Sequence, residues 1–131
     1  MRYMGIDYGS KRVGVALSDA GNTFALPHSV IPNPKNNTTL IGTLNDIICH
    51  NEVGTVILGE SKDFQGTDNK VMKDIRKFKE DIENSLSMNV ILEPEFMTSQ
   101  QAEHIQGKND MHDASAAALI LKSYLDRLNS T

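Results

Sequence analysis

The chain has 131 residues, 39% of them hydrophobic and 23% charged, with a formal net charge of −4, the balance of a single soluble unit whose core needs no disulfide or metal staple. No apolar stretch approaches the roughly 20 residues that span a bilayer, "MRYMGID" runs into a charged turn unlike a secretory leader, and Cys49 is the only cysteine, which together predict a cytoplasmic protein. The acidic balance excludes binding of nucleic acid through a broad basic surface and leaves room for carboxylates gathered around cations, whose charge can meet phosphate instead.

Taken in chain order, Arg2 to Asp7, Arg12 to Ser18 and Thr23 to Val30 read as three strands of a β-meander, with Gly and Asn in the connections. In the first two, both alternate sets are apolar: Met4 and Ile6, then Val13, Val15 and Leu17 against Gly14 and Ala16. Strands covered on both faces carry that pattern. "IPNPKNNTT" is a loop whose Asn37 or Thr38 is expected to cap a helix bearing Leu40, Ile41, Leu44, Ile47 and Ile48 at helical spacing. Cys49, beside that stripe, is expected to be a buried reduced thiol. "TVILGE" is a fourth strand, and the polar loop "SKDFQGTDN" leads into a second helix with Val71, Met72, Ile75, Phe78, Ile82 and Leu86 on its apolar face. "NVILE" is a fifth strand, and "PEFMTSQQAEHIQ" predicts a short helix from about Thr98. After a "GKND" break, a last helix from about His112 is expected to turn Ala116, Ala117, Leu119, Ile120, Tyr124 and Leu128 inward. The order βββαβαβα predicts an α/β fold, one mixed five-stranded sheet with helices packed on it, forming a single domain over 1–131.

Four acids fall at element boundaries: Asp7 at the end of the first strand, Glu60 at the end of the fourth, Glu95 after the fifth and Asp113 opening the last helix. Each has an ordinary reading as a cap or a turn residue. The alternative is a shared site, because ligands bind outside the carboxyl ends of parallel strands, and helical crossovers would make strands one, four and five parallel neighbours. Carboxylates that crowd together are costly unless a cation lies between them. A set of oxygen donors without His or Cys suits Mg²⁺ or Mn²⁺, and two such ions can activate water and stabilise the leaving oxygen of a phosphodiester.

"GIDYGSKRVGVALSD", a polar loop with "GT", then E-x-x-T-S and finally "HDASAAALILKSYLD" resemble the YqgF/RuvX family, Holliday junction resolvase-like nucleases linked to maturation of the 16S ribosomal RNA 5′ end. The likeness runs over nearly the whole chain and implies an RNase H-like fold and a two-metal endonuclease using Mg²⁺ or Mn²⁺. It implies metal-binding catalytic roles for Asp7, Glu95 and Asp113, with Glu60 as a further ligand. Lys11, Arg12, Lys62, Gly66, Thr67, Lys70 and Thr98 are then candidates for contact with nucleic acid, Gly66 and Thr67 because free N–H groups before a helix suit a phosphate oxygen. Two departures stand out. The family's Asp-Glu-Arg reads Pro94, Glu95, Phe96 here, so its arginine is absent, and "GESKDFQGT" brings in Glu60 and Lys62. Lys62, or the pair Lys11 and Arg12, is available to replace the missing charge.

The expected function is therefore metal-dependent cleavage of a ribosomal RNA precursor by a monomer or weak homodimer, leaving a 5′ phosphate and a 3′ hydroxyl, with no role for a membrane. Three alternatives compete. Resolution of four-way DNA junctions would need two sites facing two strands. A nucleic-acid-binding protein with a decayed site would account for Phe96 but not for three retained acids. "DYGSKRVG" also looks like the phosphate loop of actin and sugar-kinase type ATPases, which require two such domains.

Overall fold

Eight elements follow the expected order: β1 (Arg2–Tyr8), β2 (Arg12–Ser18), β3 (Ala25–Pro32), α1 (Asn37–His50), β4 (Val53–Ser61), α2 (Lys70–Leu86), β5 (Asn89–Glu95) and α3 (His112–Asn129). The computed structural model describes residues 1–61, 70–95 and 112–130, with positions 61, 70, 71, 95, 112 and 113 described by their backbone alone. The short helix expected from Thr98 lies outside the described residues.

The sheet runs β3-β2-β1-β4-β5. The meander pairs β1 with β2 and β2 with β3 antiparallel, while β1–β4 and β4–β5 are parallel, an RNase H-like arrangement. On one face α1 and α2 cover Met4, Ile6, Val15, Val56 and Leu58 with Leu40, Leu44, Met72 and Phe78. On the other, α3 lays Ala117, Ile120, Leu121 and Leu125 over Ala16 and Ile57. The two-sided apolar pattern of the first strands follows from this double cover.

Gly5 sets how near α3 comes. A Cβ there would lie 2.7 Å from the Leu121 Cβ and 2.8 Å from the Ala117 carbonyl oxygen, so only glycine lets the helix backbone settle on β1.

Four local expectations are corrected. The α1 cap is Asn36, whose extended backbone lets its side chain accept from the Thr39 N–H. β3 spans Ala25–Pro32 instead of Thr23–Val30, because the N–H groups of Thr23 and Phe24 are taken by the Asp19 carboxylate. Cys49 is exposed: the stripe of Leu40, Ile41, Leu44 and Ile48 faces the sheet, and the next residue turns about 100° off it. In α3, Leu121 and Leu125 are core residues, whereas Leu128 is 42% exposed. The end of that helix reaches the β2–β3 turn, where Asn129 donates to the Asn22 carbonyl, and there is no more sheet for Leu128 to cover.

Candidate active site

The carboxyl ends of β1, β4 and β5 share one edge of the sheet. Ile6 stands opposite Leu58, so the next step brings Asp7 beside Gly59, which pairs with Glu93; Ser61 then pairs with Glu95. Asp7 and Glu95 thus sit near the ends of two parallel strands that flank β4, two strand spacings across and two residues along, or roughly 12 Å apart between Cα atoms.

The pleat decides which face each acid takes. Gly5 meets α3, so Asp7, two residues on, belongs to the face that α3 covers. Glu93 also belongs to it, since it accepts from Ser123 and Arg127 of α3, and position 95 is in the same alternate set as position 93. Glu60 is in the set of Val56 and Leu58, which pack under α1 and α2. The fold brings Asp7 and position 95 to one face and sends Glu60 to the other.

Asp113 enters through the course of α3, which runs antiparallel to β1. The Tyr3 ring lies 5.6 Å from the Tyr124 ring, and Gly5 meets Leu121 and Ala117. Two further strand residues cover about 6.6 Å and one helical turn back from Ala117 about 6 Å. The first turn of α3, with Asp113, therefore stands level with Asp7.

Asp19, the second acid of the opening motif, lies at the opposite end of the sheet. Its carboxylate accepts from the N–H groups of Thr23 and Phe24 at 2.8 and 2.9 Å, and these bonds hold its pKa below the ordinary 3.8. The turn reading suits Asp19; Asp7 is the penultimate residue of a central strand and is half-buried.

Lys11 and Arg12 are exposed at the β1–β2 turn beside Asp7. Gly9 makes that turn tight, since a Cβ there would lie 2.6 Å from the Arg12 carbonyl oxygen. Lys70 opens α2, while Lys62, Gly66, Thr67 and Thr98 lie outside the described residues. Among the described residues no three His, Cys, Asp or Glu side chains form a group able to hold a metal, and no helix is long and apolar enough to cross a membrane. Two features escaped sequence reasoning. Glu93 is only 3% exposed, and its spacing of two from Glu95 within an apolar strand was the available signal. Asn33, Lys35 and Asn37 line a cleft beside Tyr8, although "PNPKNN" reads only as a loop.

A family model described as RuvX, Holliday junction resolvase, matches residues 1–127. A protein of Thermoanaerobacter pseudethanolicus named "Putative pre-16S rRNA nuclease" is 32% identical over 135 residues, covering 96% of each chain. Among solved structures, T. thermophilus RuvC in complex with a Holliday junction substrate superposes with a TM-score of 0.60 at 14% identity, over 99% of this chain and 97% of that one. Fowlpox virus resolvase with its Holliday junction DNA gives 0.61 at 15% identity, over 98% and 99%. At such identities the two structures speak to the fold.

Proposed function

Because the chain belongs to the RuvX family of Holliday junction resolvases, we propose that it is a metal-dependent endonuclease that hydrolyses phosphodiesters in maturation of the 16S ribosomal RNA 5′ end. The observation that carries this reading is the convergence of Asp7, position 95 and the first turn of α3 on one face at the carboxyl edge of the parallel strands. The name of the Thermoanaerobacter relative supports the RNA substrate.

The donor set consists of carboxylates, which suits Mg²⁺ or Mn²⁺, so Asp7, Glu95 and Asp113 are the residues that would hold the ions. When bound, a divalent pair supplies Lewis acidity toward the phosphoryl group and a more acidic water. The chain's own residues do the positioning. Asp7 is fixed by pairing of β1 on both sides, Gly5 admits the helix that carries Asp113, and Lys11 and Arg12 offer cations at the turn where substrate phosphates would pass. No protein general base is required. In the place of the family arginine stands Phe96, and Lys11 and Arg12, exposed at the turn that follows β1, offer positive charge close to Asp7 in the chain. The whole of residues 1–131 acts as one nuclease domain, in the cytoplasm.

Junction resolution is the second reading, favoured by the family description; it needs paired sites and so a homodimer. The deciding experiment incubates the protein with Mg²⁺ or Mn²⁺ and either a 16S precursor spanning the mature 5′ end or a four-way DNA junction. Metal-dependent cutting of the RNA alone is expected, lost in Asp7→Asn with its circular dichroism unchanged. Symmetric cutting of the junction by a dimer would instead establish the second reading, and full activity of Asp7→Asn would remove Asp7 from the site.

A further inference from the structure

On the face of the sheet away from α3, a cleft of about 430 Å³ opens beside the last residue of β1. Tyr8 forms one side, its ring 5.1 Å from that of Phe78. The β3–α1 loop contributes Asn33, Lys35 and Asn37, and α2 contributes Asp74 and Lys77. The volume is within the range of small-ligand sites and suits a single nucleotide.

The walls are tied to the β1–β2 turn. The Asn33 side chain donates to the Gly9 carbonyl at 2.8 Å and accepts from the Lys35 N–H at 2.9 Å, while its backbone N–H donates to the Lys11 carbonyl at 2.9 Å. One residue thus clamps the loop bearing Lys35 onto the turn that follows Asp7. Opposite, Asn37 donates to Asp81 at 2.7 Å and Lys77 pairs with the same carboxylate at 3.2 Å. These contacts hold the Asp81 pKa down, the Asn37 bond foremost, and Lys77 already has that carboxylate as an ion-pair partner. Lys35 forms no ion pair with any described residue and is exposed, which leaves its ammonium for a ligand.

The lining is wrong for a bare anion, because Asp74 would repel it. It offers one uncommitted cation, an aromatic ring, a hydroxyl from Ser10, amides and a carboxylate acceptor, which together answer a phosphate, a ribose and a base edge. Tyr8 adjoins Asp7 in the chain and belongs to the opposite alternate set, so the cleft and the acidic edge lie on either side of one short turn.

We propose that this cleft binds one unpaired nucleotide of the RNA strand close to the bond that is cut, with Lys35 on its phosphate. This rests on the nuclease reading for the identity of the strand, and it assigns that nuclease a single-stranded flank as substrate. A duplex does not fit a space of this size.

The test measures binding of a fluorescein-labelled 12-nucleotide single-stranded RNA, carrying the precursor sequence at the mature 5′ end, to the full chain in EDTA so that nothing is cut. Lys35→Glu is expected to weaken binding about tenfold and to lower the salt dependence by roughly one phosphate contact, Lys35→Arg to bind like the wild type, and Lys122→Glu, the same charge change on α3, to have little effect. An unchanged Kd and salt slope in Lys35→Glu, or an equal loss in Lys122→Glu, would overturn the proposal. A DNA 12-mer bound equally well through Lys35 would overturn the assignment to RNA. Cleavage of the precursor is scored separately. A wild type that cuts while Lys35→Glu keeps its KM refutes the cleft and spares the nuclease, whereas Lys35-dependent binding without any cutting refutes the nuclease reading alone.

Discussion

Asp7 and Asp19 belong to the same fifteen-residue motif and do different work, because one is the penultimate residue of a strand in the middle of the sheet and the other accepts two backbone N–H bonds in an exposed turn. The pKa of Asp19 is lowered chiefly by its bond from the Phe24 N–H and then by that from Thr23, and that of Asp81 by the Asn37 side chain. A carboxylate whose folded pKa is depressed stabilises the native state above its unfolded value, and that contribution disappears as pH falls through the folded value. The stability margin of the wild type over Asp19→Asn, measured by urea melts, should therefore be constant from pH 7 to 5 and shrink below the unfolded value of 3.8. A margin that did not change with pH would mean the charge of Asp19 contributes nothing and only its geometry counts.

At the scale of elements, everything at the site depends on where α3 lies. Gly5→Ala would force a methyl group against backbone and a Cβ at 2.7 to 2.8 Å, an overlap that a rigid core resolves at a cost of about 1–3 kcal/mol. The helix carrying Asp113 would be pushed from β1, so cleavage should fall more than the loss of folded protein explains; thermal melts alongside kcat at a temperature where the variant stays folded separate the two. The far half of α3 is held to β5 by Arg127 on Glu93, the latter 3% and the former 61% exposed at the side chain. Removing the cation leaves a buried carboxylate with, among the described residues, only Ser123 on it. Arg127→Ala should destabilise by about 1–3 kcal/mol, the lower part of the range because the guanidinium is largely hydrated, and adding Glu93→Leu should recover most of the loss. If the double variant is no more stable than Arg127→Ala, Arg127 acts by covering Tyr124, over whose ring it sits at 5.9 Å.

For the whole molecule, the net charge of −4 and an acidic edge predict that divalent cations stabilise the fold. A ligand that binds only the native state at a hundred times its Kd adds about 2.7 kcal/mol. The melting temperature should therefore rise on addition of Mg²⁺ or Mn²⁺ to the wild type, and rise less or not at all in Asp7→Asn. A wild-type melting temperature indifferent to either ion would argue for a decayed site.

Much of the architecture is legible in the residues alone, because alternation and helical spacing are local signals. The two-sided apolar runs of Met4–Ile6 and Val13–Leu17 announce central strands, and the 3.6-residue stripe of Met72, Ile75, Phe78 and Ile82 announces α2. The motif that opens the chain likewise singled out Asp7, and the resemblance Glu95 and Asp113. What the residues do not encode locally is the offset between strands and the face on which each helix settles. Glu60 reads as one more acid at a strand end until the register of β4 against β1 puts it in the set of Leu58, beneath α1 and α2. Leu121 and Leu125 became the inner face of α3 because the helix approaches β1 over Gly5, a choice made by packing between segments more than a hundred residues apart. The cleft at Tyr8 is assembled from a strand end, a loop and a helix. No window of sequence contains it, since only the closed chain puts Lys35 and Lys77 around one space.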